Sequence, residues 1–144
     1  MEVDVKVSGL SELAEALTQF APKLRNRCYK DAIIAAAMPE LEAAQQNAPI
    51  AAKDYPQRYP GELRDSLVIT TRVRKYGVVA KIGPSRSPGG GLQAPGTWGL
   101  MVEFGSINNR PMPYLRPAFE ATKEISVQRF AEVLRDVVPT MVRK

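Results

Sequence analysis

The chain has 144 residues, a length that a single hydrophobic core can serve, and its 44% hydrophobic and 24% charged residues suit a globular protein. No apolar run approaches the roughly 18 residues of a membrane span, and the opening MEVDVKVSG lacks the apolar stretch of a secretory signal, so synthesis and residence in a cytoplasm are expected. Twenty basic and 15 acidic residues give a net charge of +5, spread along the chain; the absence of histidine excludes serine triads, zinc sites and histidine relays within one chain, and the lone Cys28 excludes an internal disulfide.

In chain order, Val3, Val5 and Val7 alternate with Asp4, Lys6 and Ser8, the period-two pattern of a short strand with one buried face. Gly9 breaks it. Leu10, Leu13, Leu17, Phe20, Leu24 and Cys28 then recur at steps of three and four, with Ser11 as the predicted N-cap. Pro22 cannot sit in a helix interior without cost, so a short helix over 11–20 and a longer one from Pro22 to Asn47 are predicted, the second kinked at Pro39. Cys28 falls on the apolar stripe and is expected in the core. The alanines at 35–37, 43 and 44 let another element approach closely, either within the chain or from a second subunit. Asn47-Ala48-Pro49 ends the helix.

Residues 50–61 hold two prolines, a glycine, Tyr55 and Tyr59 without periodicity and read as a loop. Leu67, Ile69, Thr71 and Val73 alternate with Val68, Thr70, Arg72 and Arg74; Tyr76-Gly77 turns; and Val78, Ala80 and Ile82 alternate with Val79 and Lys81. This predicts an antiparallel hairpin with Arg72, Arg74 and Lys81 on its outer face. The stretch from 84 to 99, rich in glycine and proline and holding Arg86 and Trp98, reads as an extended exposed loop. Leu100, Val102 and Phe104 alternate with Met101 and Glu103 and predict a third strand ending at Gly105. Glu103, a carboxylate among apolar residues, calls for an arginine or backbone donors beside it. Pro117 suits the first turn of a last helix, with Phe119, Thr122, Ser126, Phe130, Val133, Leu134, Val137 and Met141 on one side and Pro139 limiting its length. The expected fold class is α+β in one domain over 1–144: a small antiparallel sheet of three or four strands packed against a long N-terminal helix pair and a C-terminal helix.

Three segments together resemble a family of tailed-phage proteins, named after the tenth gene product of a lambdoid phage and described as head-to-tail joining or tail-completion proteins. They are the opening KVSGLSELAEAL; Asn47-Ala48-Pro49 with Gly61-Glu62-Leu63-Arg64-Asp65-Ser66-Leu67; and, most specifically, Val102-Glu103-Phe104-Gly105-Ser106 followed by Pro113-Tyr114-Leu115-Arg116-Pro117-Ala118. Departures are the long 84–97 loop and Ser106, where a threonine is common. The resemblance implies a structural virion protein and no enzyme or cofactor. It implies a hexameric ring at the head–tail junction, assembled in the host cytoplasm, stacked between the tail tube or its terminator and the head connector, with genomic DNA passing through. Subunit contacts are expected in the 50–60 and 84–99 loops and near Asn108-Asn109-Arg110, with Tyr55, Tyr59, Arg86 and Trp98 as contact candidates; a side-chain pair between Arg116 and Glu103 is expected to brace the motif. Two rival readings follow from the residues alone. A nucleic-acid-binding protein fits the pI near 9.5, and a carboxylate hydrolase would use Glu103, Glu62 and Asp65.

Overall fold

The computed structural model of the protein describes residues 9–51, 59–85 and 94–142. Its elements are α1 (Leu10–Thr18), α2 (Pro22–Asn47), α3 (Glu62–Ser66), β1 (Leu67–Arg74), β2 (Gly77–Pro84), α4 (Pro95–Phe104) and α5 (Leu115–Val142). The fold class is α+β, mostly helical, with one two-stranded sheet among the described residues. The helix pair and the hairpin stand where periodicity places them. Gly9, at φ 82°, caps α1 in place of Ser11. α2 runs through Pro39, whose missing N–H removes the helical donor to the Ala35 carbonyl. α5 continues past Pro139 to Val142.

Two expectations are overturned. Leu100–Phe104 is the second half of a helix, not a third strand, and Pro95–Gly99 belongs to that helix rather than to a loop. The segment is apolar enough to satisfy either period; Pro95 at the helix start, and Pro95, Gly99 and Glu103 buried at four-residue spacing, decide for the helix. The expected strand at Val3–Val7, Tyr55, Arg86 and the rest of the 86–93 stretch lie outside the described residues.

The contacts divide the chain into two compact units. The first comprises 1–39, 70–81 and 123–144. Its core is Leu17 of α1, Cys28 and Ala32 of α2, and Leu134 and Val138 of α5, flanked by Leu13, Phe20, Tyr29, Phe130 and Val137. Cys28 is fully buried, and that burial is the main reason its thiol pKa is pushed up.

The second unit comprises 40–69 and 82–122. Its core joins Ala44 and Ala48 at the end of α2, Leu63 of α3, Leu67 of β1, and Tyr114 and Ala118 at the start of α5, with Leu41, Trp98, Val102 and Leu115 against it. Ala44 thus packs within the chain. The face of α5 in this unit runs through Ala118 and Thr122, so Phe119, expected in the buried stripe, is exposed instead. Ser85 donates its N–H to the Ser66 carbonyl at 2.7 Å, closing the base of the hairpin.

Candidate functional site at the α4–α5 corner

The third and most specific of the resembling segments, 102–106 and 113–118, lies where α4 ends and α5 begins, inside the second unit. Glu103 is 4% exposed, deep for a carboxylate. Its Oε2 accepts the backbone N–H of Tyr114 at 2.7 Å and of Leu115 at 2.9 Å, and its Oε1 accepts that of Arg116 at 3.1 Å. A helix leaves its first four N–H groups without intrahelical partners. Counted from Tyr114, the residue that flanks α5, three of those four meet one carboxylate, and the fourth position is Pro117, which has no N–H. Every orphan donor is thereby accounted for. No serine, threonine, aspartate or asparagine precedes α5 to supply the usual cap, so α4 supplies it. A negative charge at that end also complements the helix dipole.

The expected side-chain pair between Arg116 and Glu103 is corrected here. Arg116 reaches Glu103 through its backbone N–H, while its guanidinium lies over the Phe104 ring at 5.6 Å, within cation–π range. Backbone donors satisfied the carboxylate first and left the guanidinium outside.

Tyr114 is fully buried and donates its hydroxyl to the Gly99 carbonyl at 3.3 Å. Burial first, and the Glu103 charge second, push its pKa up to about 12. Gly99 is required by close packing: a Cβ there would lie 2.7 Å from Pro84 Cγ, 3.0 Å from Leu63 Cδ1 and 3.1 Å from the Tyr114 hydroxyl. Gly105, at φ 82° and ψ 174°, turns the chain out of α4 in backbone geometry open to glycine. Beyond it Ser106 and Asn109 exchange two backbone hydrogen bonds across Ile107 and Asn108, and Met112 donates its N–H to the Val102 carbonyl at 2.7 Å. Pro113 then leads into α5.

The opposite face of this corner is apolar and open. Leu100, Met101 and Phe104 share the side of α4 turned from the core, Ile107 at the turn is 100% exposed, and Met112 is exposed after it. Asn108, Asn109 and Arg110 are exposed on the same turn. Trp98, expected among the contacts, is half-buried against the core.

A second cluster gathers Tyr59, Arg64 and Asp65. Arg64 Nε lies 2.8 Å from Asp65 Oδ1, and that hydrogen bond is the main reason the Asp65 carboxyl is held below its usual value. Tyr59 is exposed and its hydroxyl pKa is raised, by loss of hydration first and by Asp65 next. Arg64 also borders an open groove of about 410 Å³ with Glu42, Gln45, Gln46, Ala48 and Ile50. Of the three carboxylates expected for a hydrolase, Glu62 has its Oε2 buried without a hydrogen-bond partner. Glu103 is committed to α5, and Asp65 to Arg64. Among the described residues no three acidic or cysteine side chains are grouped to hold a metal, and no helix is long and apolar enough to cross a membrane.

Comparison of the chain with protein-family models, with curated proteins and with solved structures returned no match.

Proposed function

We propose that this chain is a structural subunit of a tailed phage, one copy of a homo-oligomeric ring that joins head to tail or completes the tail, and that its work is geometric rather than catalytic. The observation that carries the reading is the corner itself. Its Glu103-Phe104-Gly105 and Pro113-Tyr114-Leu115-Arg116-Pro117 segments, through which the chain resembles the head-to-tail joining family, are tied into one rigid piece by three hydrogen bonds to a single carboxylate. This motif is a joint and presents no reactive group. Opposite the buried Glu103, α4 exposes Leu100, Met101 and Phe104, and large apolar side chains gathered on one exposed face suit a protein contact.

In this reading Leu100, Met101, Phe104, Ile107 and Met112 bury against the neighbouring subunit, with Asn108, Asn109 and Arg110 forming the polar rim of that contact. Such a head-to-tail contact closes into a ring when the rotation per subunit divides a full turn; the family resemblance favours six. The ring would stack between the tail tube or its terminator and the head connector, with genomic DNA passing through it. A carboxylate hydrolase is disfavoured because the Glu103 oxygens are buried and occupied by backbone donors.

The test is the native mass of the purified chain, alone and mixed with phage heads or tails, read by light scattering and electron microscopy. Closed rings, or a layer of added density at the head–tail junction, are expected, and Phe104→Asp with Ile107→Asp abolishes both. A stable monomer that joins neither particle overturns the reading.

A further inference from the structure

The hairpin carries a charge pattern that ring assembly does not use. From Leu67 to Pro84 it holds four basic residues, Arg72, Arg74, Lys75 and Lys81, and no acidic one. The two-residue turn at Lys75 and Tyr76 sets Arg74 opposite Gly77, Arg72 opposite Val79 and Thr70 opposite Lys81. The hydrogen bond from Thr70 Oγ1 to the Lys81 carbonyl at 3.4 Å agrees with that register. Thr70, Arg72 and Arg74 therefore alternate onto the same face as Val79 and Lys81, and all five are exposed. Together with Thr71 they line a groove of about 110 Å³.

None of Arg72, Arg74 and Lys81 pairs with a described carboxylate. Three cations held on one face of a two-stranded ribbon repel one another, a cost that an anionic partner would remove. Arg72 and Arg74 stand two residues apart, about 6.7 Å along the strand, comparable with the step between successive phosphates of one nucleic-acid strand. Threonine hydroxyls beside them are further phosphate donors. Arginine forks suit phosphate oxygens, and a two-stranded ribbon is narrow enough to lie against a DNA groove.

We propose that the outer face of the β1–β2 hairpin, carrying Thr70, Arg72, Arg74 and Lys81, is a sequence-independent contact surface for the phosphate backbone of duplex DNA. This surface is read from the hairpin's own residues and stands whether or not the chain forms a ring.

The experiment is a fluorescence-anisotropy titration of the full chain with a labelled duplex of mixed sequence across a salt series. With three phosphates neutralised, log K should fall against log salt with a slope of about −2.7. The triple variant Arg72→Ala, Arg74→Ala, Lys81→Ala should lose at least about tenfold in affinity at low salt, and its slope should flatten. Arg72→Lys with Arg74→Lys keeps the charge, guards against a folding artefact and should retain binding. Removing the same number of exposed charges from α2, as Lys23→Ala, Arg27→Ala and Lys30→Ala, should leave the slope unchanged. Absence of wild-type binding, equal losses in the α2 and hairpin variants, or competition by polyglutamate as strong as that of duplex DNA at equal charge would each overturn the proposal.

Discussion

Replacing Glu103 by alanine removes the acceptor from three backbone donors at 2.7, 2.9 and 3.1 Å. The Tyr114 N–H is buried, and leaving such a donor unsatisfied costs about 1–3 kcal/mol. The N–H groups of Leu115 and Arg116 are part-buried, so water can reach them once the side chain is gone, and about 0.5–1 kcal/mol each is expected. Losing the negative charge at the start of α5 adds about 0.5–1 kcal/mol. The sum, about 2.5–6 kcal/mol, is a large part of the stability of a typical domain. Glu103→Gln keeps one carbonyl oxygen but turns an amide NH2 toward a backbone donor, so a loss of about 1–2 kcal/mol is expected. Urea denaturation followed by circular dichroism reads both values; at a typical slope of about 1–3 kcal/mol per molar, alanine lowers the midpoint by on the order of 2 M. Amide hydrogen exchange at Tyr114, Leu115 and Arg116 localises the effect. A loss below about 1 kcal/mol for alanine, or unchanged exchange at those three amides, would refute the assignment of Glu103 as the cap of α5.

Gly99→Ala forces a methyl group to within 2.7 Å of Pro84 Cγ and should cost about 1–3 kcal/mol in a thermal melt. Gly105→Ala combines a positive φ with contacts of 3.0 Å to Pro111 and 3.1 Å to the Asn109 carbonyl, and a similar loss is expected. Tyr114, neutral in the folded state up to about pH 12, contributes stability that is complete below the ordinary tyrosine value near 10 and is lost as pH rises between the two. Spectrophotometric titration should show a phenol ionising at about pH 12, and Tyr114→Phe should remove it. Cys28, buried with its thiol pKa raised, should react with a thiol reagent only at the rate of local opening, accelerating as denaturant is added.

The parts of the fold legible from residue order are those with long single-period patterns. Leucines and Cys28 at three- and four-residue steps define α1 and α2, and strict alternation through Arg74 and Lys81 defines the hairpin. α4 was not legible because five apolar-rich residues fit a period of two as well as 3.6, and because Gly99, a poor helix former, is retained there by the packing of Pro84, Leu63 and Tyr114. A signal was present nonetheless. α5 begins without a capping side chain of its own, and an isolated glutamate stands eleven residues before its first N–H in an otherwise apolar segment. An uncapped helix and an unpartnered carboxylate imply one another. α3 was hidden for a different reason: five residues are too few to show any period.

The turn from Ser106 to Asn109 closes on itself through two backbone hydrogen bonds, and the chain on its core side is clamped separately at Glu103 and Met112. Fold stability and surface character are therefore written in different residues a few positions apart. Doubling such a loop costs only about 0.6 kcal/mol, so foreign peptides inserted between Ile107 and Asn108 should be displayed without unfolding the protein beneath. Substitution and insertion at this turn are therefore cheap for the fold, while the joint at Glu103 a few residues away stays fixed.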